Sequence, residues 1–88
     1  MLIIITGTPE CAYTQRALSL CLYYRHRAWL LVPHEAMTAW TRCCQYGHYS
    51  LPLVTLWDPS RGVESLIGGG DSLCEYLEEL DEMEGQEE

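Results

Sequence analysis

The chain is predicted to be an α/β protein in the order β-α-β-α-β-β-α, a four-stranded mixed sheet flanked by three helices. Three observations predict it. Short apolar, β-branched runs alternate with segments whose apolar residues recur at helical spacing. The first two runs are separated by a helical segment, which calls for parallel strands. The last two are separated only by turn residues, which calls for an antiparallel hairpin.

The elements follow in order. Met1 to Thr6 is a β-branched apolar run, suited to a buried strand, and Gly7-Thr8-Pro9-Glu10 breaks it. From Cys11 to about Tyr24, Ala17, Leu18, Cys21 and Leu22 fall on one helical face. Ala28 to Val32 is a second apolar run, stopped at Pro33. Glu35 to about Tyr46 reads as a helix with Met37, Trp40 and Cys44 on one side, and Gly47 ends it. Pro52 to Trp57 is the third strand, Asp58-Pro59-Ser60-Arg61-Gly62 a turn, and Val63 to Ile67 the fourth strand. Three glycines, Gly68 to Gly70, then lead to Asp71, predicted to cap a last helix that carries Leu73, Tyr76, Leu77 and Leu80.

With 88 residues the chain is expected to form one domain, residues 1–80, followed by an acidic C-terminal tail, residues 81–88, read as a solvated end. The apolar content argues against disorder. No run approaches the ~20 residues that cross a bilayer, so no membrane partner is expected. The first residues lack a basic n-region and are too short for a signal h-region. Formal charge is −8, with five arginines and no lysine, which disfavours nucleic-acid binding because phosphate contacts need a basic surface. Five cysteines, an odd count without an export signal, favour a reducing, cytoplasmic location over a secreted disulfide framework. The chain is expected to be a monomer.

Three local features carry chemistry. The first is Thr8-Pro9-Glu10-Cys11-Ala12-Tyr13-Thr14, between strand and helix. A thiol at a helix N-terminus faces unsatisfied N–H groups and the positive end of the helix dipole, and both favour the nucleophilic thiolate. Lowering a thiol pKa from about 8.5 to about 7 raises the thiolate at neutral pH from roughly 3% to about half. Glu10 opposes this, and Arg16 offsets it. The second feature is Ser50-Leu51-Pro52, a proline opening a strand, where a cis bond would leave the Leu51 backbone free to pair with an extended ligand. The third is Gly68-Gly69-Gly70-Asp71, which permits close ligand approach at a helix start able to hold a carboxylate. Singly, each also reads as an incidental cysteine, a strand-opening proline and a capped turn.

Together, in this order, the three features resemble the glutaredoxin family. Cys11-Ala12-Tyr13-Thr14-Gln15-Arg16-Ala17 is similar to that family's Cys-Pro-Tyr-Cys and the helix after it. Leu51-Pro52 matches its Val-Pro, and Ile67-Gly68-Gly69-Gly70-Asp71-Ser72-Leu73 its Gly-Gly motif with the following Asp. The resemblance runs from Met1 to about Leu80. It implies a thioredoxin-like fold and a glutathione-dependent thiol–disulfide oxidoreductase, with Cys11 as nucleophile and glutathione as cosubstrate. Tyr13, Leu51, Pro52, Gly69, Gly70, Asp71 and Ser72 would form the glutathione groove. The protein partner would be disulfide-bearing or glutathionylated, and electron donation to a reductase such as ribonucleotide reductase is a role seen in the family.

Two departures shape the expected chemistry. Thr14 stands where most members carry a second cysteine. Its hydroxyl can hydrogen-bond the Cys11 thiolate but cannot resolve a mixed disulfide, so the local site is monothiol. Thr8 stands where many members carry a basic residue, leaving Arg16 or Arg42 to meet the glycyl carboxylate. Two alternatives accompany this reading. One is a module binding a [2Fe–2S] cluster between two copies with glutathione, less favoured because Ala12-Tyr13 replaces the Gly-Phe of cluster-binding members. The other is a redox-dead adaptor keeping only the fold. Cys21 and Cys74 are expected to be buried. One of Cys43 and Cys44 is core-facing by spacing, and a resolving role for either stays open. No metal site is predicted, since no Cys-x-x-Cys pair exists. His26, His34 and His48 read as surface or loop residues.

Overall fold

In the computed structural model, which describes residues 1–33 and 35–86, the apolar runs and helical segments alternate as the sequence pattern predicts. The strands are β1 (Leu2–Thr6), β2 (Ala28–Leu31), β3 (Leu53–Asp58) and β4 (Val63–Gly68). The helices are α1 (Ala12–Tyr23), α2 (Ala36–Tyr46) and α3 (Gly70–Gln86). The strands form one mixed sheet in the order β2-β1-β3-β4. The pair joined through α1 is parallel, with Ile3 opposite Ala28, and β3 pairs antiparallel with both β1 and β4. No helix among the described residues is long and apolar enough to cross a membrane.

Side chains alternate across a strand, so β1 divides the molecule into two unlike faces. Ile3 and Ile5 point to one face, where Ala17 and Cys21 of α1, Val54 of β3 and Leu73 and Leu77 of α3 complete the buried core. Burial in this apolar setting pushes the Cys21 thiol up to about 11. The folded state therefore holds the Cys21 proton more tightly than the unfolded chain. Stability from this group is fully present below the ordinary thiol range and is lost as pH climbs from there to about 11. Wild-type protein is expected to lose about 2 kcal/mol through Cys21 across that window. Urea unfolding at pH 8 and pH 11 checks it: Cys21→Ala should show a correspondingly smaller fall in stability.

The opposite face is mixed: Leu53 is fully buried there beside a patch of polar groups. Thr6 points there, and Arg42 of α2 reaches it, donating from Nε to Thr6 Oγ1 at 3.0 Å and from Nη2 to Glu64 Oε2 at 2.7 Å. Thr55 Oγ1 donates to the same Glu64 oxygen. Burial pushes the Glu64 carboxyl up, but the hydrogen bonds from Arg42, Thr55 and Tyr46 outweigh it and hold the group below the usual carboxylate range.

Met37, Trp40 and Cys44, which share one side of α2, are exposed. The helix instead turns Ala39, Arg42, Cys43 and Tyr46 inward, also at helical spacing, because the sheet offers it threonines and a carboxylate.

Two further expectations change at α3. Asp71 is not the cap. The helix starts at Gly70, the Gly69 carbonyl accepts the Leu73 N–H at 3.0 Å, and Asp71 lies in the first turn, where the dipole still favours it. The predicted tail is also helical as far as Gln86, so no break falls at residue 80. Strong helix formers continue through that stretch without an early stop signal. Residues 87 and 88 lie outside the described residues.

Candidate active site

The turn after β1 is shaped by Gly7. It is buried, and a Cβ there would fall inside contact distance of the Thr14 hydroxyl, so glycine lets the loop close onto α1. The Cys11 N–H donates to the Thr8 carbonyl at 3.1 Å, and the Cys11 carbonyl accepts the Gln15 N–H at 3.0 Å. Cys11 is thus the N-cap of α1, in extended conformation and half-buried. The Thr14 backbone N–H, the Thr14 hydroxyl and the Tyr13 N–H together hold its thiol below the ordinary range, against a smaller opposing effect of burial.

Thr14 completes this arrangement. Its Oγ1 is buried and makes no hydrogen bond of ordinary geometry. The Cys11 sulfur is the group to which it can donate when the thiol ionises. Thr14→Val keeps the shape, removes the orphan hydroxyl and is expected to leave stability unchanged or slightly raised. Because Cys11 alkylation tracks the thiolate, its rate rises with pH through the Cys11 pKa. The variant should shift that inflection upward and slow iodoacetamide labelling at pH 7 by about three- to tenfold. A pH series of labelling rates checks this.

On the flank of α1 lies a cleft of about 470 Å³. Three segments far apart in sequence line it: Tyr13 from α1, Leu51 and Pro52 ahead of β3, and Gly69, Gly70, Asp71 and Ser72 at the start of α3. All seven groove residues named from the sequence are therefore brought together. Cys11 and Thr14 are not in the lining; they stand on either side of Tyr13 at the start of α1. The Leu51–Pro52 peptide bond is cis. Gly68, at φ 131, makes the sharp turn from β4 into α3, and a Cβ there would meet the Ser72 side chain.

The cleft also contains residues that sequence reasoning missed or left open. Arg16 lines it, whereas Arg42, the other candidate for a ligand carboxylate, is engaged by Thr6 and Glu64. His48 and Ser50 line it too, with the His48 Nε2 and Ser50 Oγ 3.1 Å apart and the ring against Gly69. His48 was expected to be a plain surface or loop residue. The available signal was its place between the helix-ending Gly47, in the left-handed region, and Leu51-Pro52. His34 lies outside the described residues.

The other thiols differ from Cys11. Cys21 is buried with its pKa raised. Cys43 is buried and Cys44 exposed, which divides that pair as spacing allowed. Cys74 is half-buried, not buried as expected. Burial and its contact with the Glu78 carboxylate, 3.5 Å away, push its thiol up. Among the described residues no group of three or more His, Cys, Asp or Glu side chains gathers to hold a metal ion. Comparison with protein-family models, curated proteins and solved structures gives no match for this chain.

Proposed function

We propose that the chain is a glutathione-dependent thiol–disulfide oxidoreductase of the glutaredoxin type, with a thioredoxin-like fold and Cys11 as its nucleophile. The observation that carries this reading is the convergence of Tyr13, two residues along the chain from Cys11, with Leu51-Pro52 and Gly69 to Ser72 on one cleft; the lowered pKa of the Cys11 thiol accompanies it. The β-α-β-α-β-β-α order and the mixed sheet support the fold assignment.

In this reading the glutathione half of a mixed disulfide lies in the cleft. Its γ-glutamyl carboxylate meets the N–H groups at the start of α3, where the helix dipole is positive, and its ammonium meets Asp71. The Leu51 backbone pairs with the cysteinyl part, and Tyr13 forms a wall. The Cys11 thiolate attacks the glutathione sulfur. A Cys11–glutathione disulfide forms as the substrate bond breaks, and the leaving thiolate takes a proton from water. A second glutathione thiolate then attacks the glutathione sulfur on Cys11, releasing glutathione disulfide and restoring the Cys11 thiolate. Thr14 offers no second sulfur, so glutathione itself must complete the cycle.

The test is turnover of a glutathionylated peptide by the wild-type chain, with glutathione as reductant and glutathione disulfide recycled by its own reductase. The reading predicts catalysis that depends on glutathione. A rate no faster than the reaction without protein overturns it.

A further inference from the structure

A second groove, of about 350 Å³, opens on the other side of Leu51 and shares Ser50 and Leu51 with the cleft. Its character is different. Trp40 and Tyr49 form its walls, their ring centroids 5.5 Å apart, with Pro33 and Ala39 beside them. Thr8, whose carbonyl accepts the Cys11 N–H, also lines it, so it reaches the nucleophile's own loop. Glu35 supplies a carboxylate, and among the described lining residues there is no cation.

We infer that this groove receives an aromatic or large aliphatic side chain next to the glutathionylated cysteine of a protein substrate. The inference rests on the proposed thiol-transfer reading and names its substrate class. Charge excludes an anionic occupant. Glutathione carries two carboxylates, so a second glutathione would bring negative charge against Glu35 and against aromatic walls unable to pair it. An apolar side chain instead removes the half-exposed Trp40 and Tyr49 rings from water. Because the two depressions meet at Ser50 and Leu51, the glutathione half and the protein half of one mixed disulfide fit side by side. The chemistry is the exchange already described, with glutathione as reductant.

The test compares three substrates under glutathione-coupled conditions: a glutathionylated peptide with Trp beside its cysteine, the same peptide with Asp there, and the small cysteine–glutathione mixed disulfide. Wild type should show a KM about five- to thirtyfold lower for the Trp peptide than for the Asp peptide, the size expected for burying part of one aromatic side chain. Trp40→Ala and Tyr49→Ala should each reduce that preference while leaving the small substrate's kinetics unchanged. Equal KM values in wild type, or a preference untouched in both variants, overturns the inference. If none of the three is turned over, the underlying reading fails. The groove is then judged by calorimetric binding of the two reduced peptides to Cys11→Ser protein: tighter binding of the Trp peptide, lost in the Trp40→Ala double variant, supports it, and equal binding overturns it.

Discussion

If the proposed reading holds, replacing Cys11 with serine is expected to lower glutathione-coupled turnover at least about a thousandfold, because it removes the atom that would form the covalent intermediate. The donors that favour a thiolate here, the Thr14 and Tyr13 N–H groups and the Thr14 hydroxyl, do not bring an alcohol within reach of ionisation at neutral pH. Cys21 is buried with its pKa raised to about 11, and the Cys74 thiol is raised by burial and by Glu78. The loss should come without unfolding. Cys11 is half-buried at the N-cap of α1, and serine is a preferred residue at that position. Activity measured beside thermal unfolding separates the two effects: turnover falls to background while Tm stays level or rises.

The largest effect on stability is expected at Leu77. Its side chain is fully buried in the core, on the face of α3 that packs against α1 and the sheet. Leu77→Ala should cost about 3–5 kcal/mol through lost burial and the cavity left behind. A domain of this size has about 4–13 kcal/mol to lose, so the variant should be partly unfolded at 37 °C. Leu22→Ala removes the same atoms from α1, but Leu22 is 79% exposed, and the change should stay within about 0.5 kcal/mol. Urea midpoints of the two variants give the comparison directly.

What the sequence made legible and what it did not follow from the range of the interactions involved. The four strands and two of their three pairings were readable because β-branched runs and breakers are local signals, and a helix between two strands implies parallel pairing; the antiparallel pairing of β1 with β3 joins segments far apart in sequence and was not. The cleft was readable for a similar reason, since Cys11 at a helix start, Leu51-Pro52 and Gly69-Gly70-Asp71 each carry their own mark. The inward face of α2 was not. Two helical stripes compete there, and the choice of Arg42 and Cys43 over Met37 and Trp40 depends on Thr6 and Glu64 in other strands. The same holds for His48, which joins the cleft by lying against Gly69 from a distant segment. The end of α1 was legible only approximately. Arg25 takes the left-handed conformation, at φ 60, where a glycine would have marked the stop.

The cleft, the lowered Cys11 pKa and the absence of a second sulfur at Thr14 lead to one claim, that Cys11 works alone with glutathione. Exposing the chain to glutathione disulfide at pH 7 and mapping the adduct by mass spectrometry tests it most directly. The account predicts one glutathione per chain, attached to Cys11 and removed by reduced glutathione. An adduct on the exposed Cys44 in its place, or an intrachain disulfide joining Cys11 to another cysteine, would contradict it.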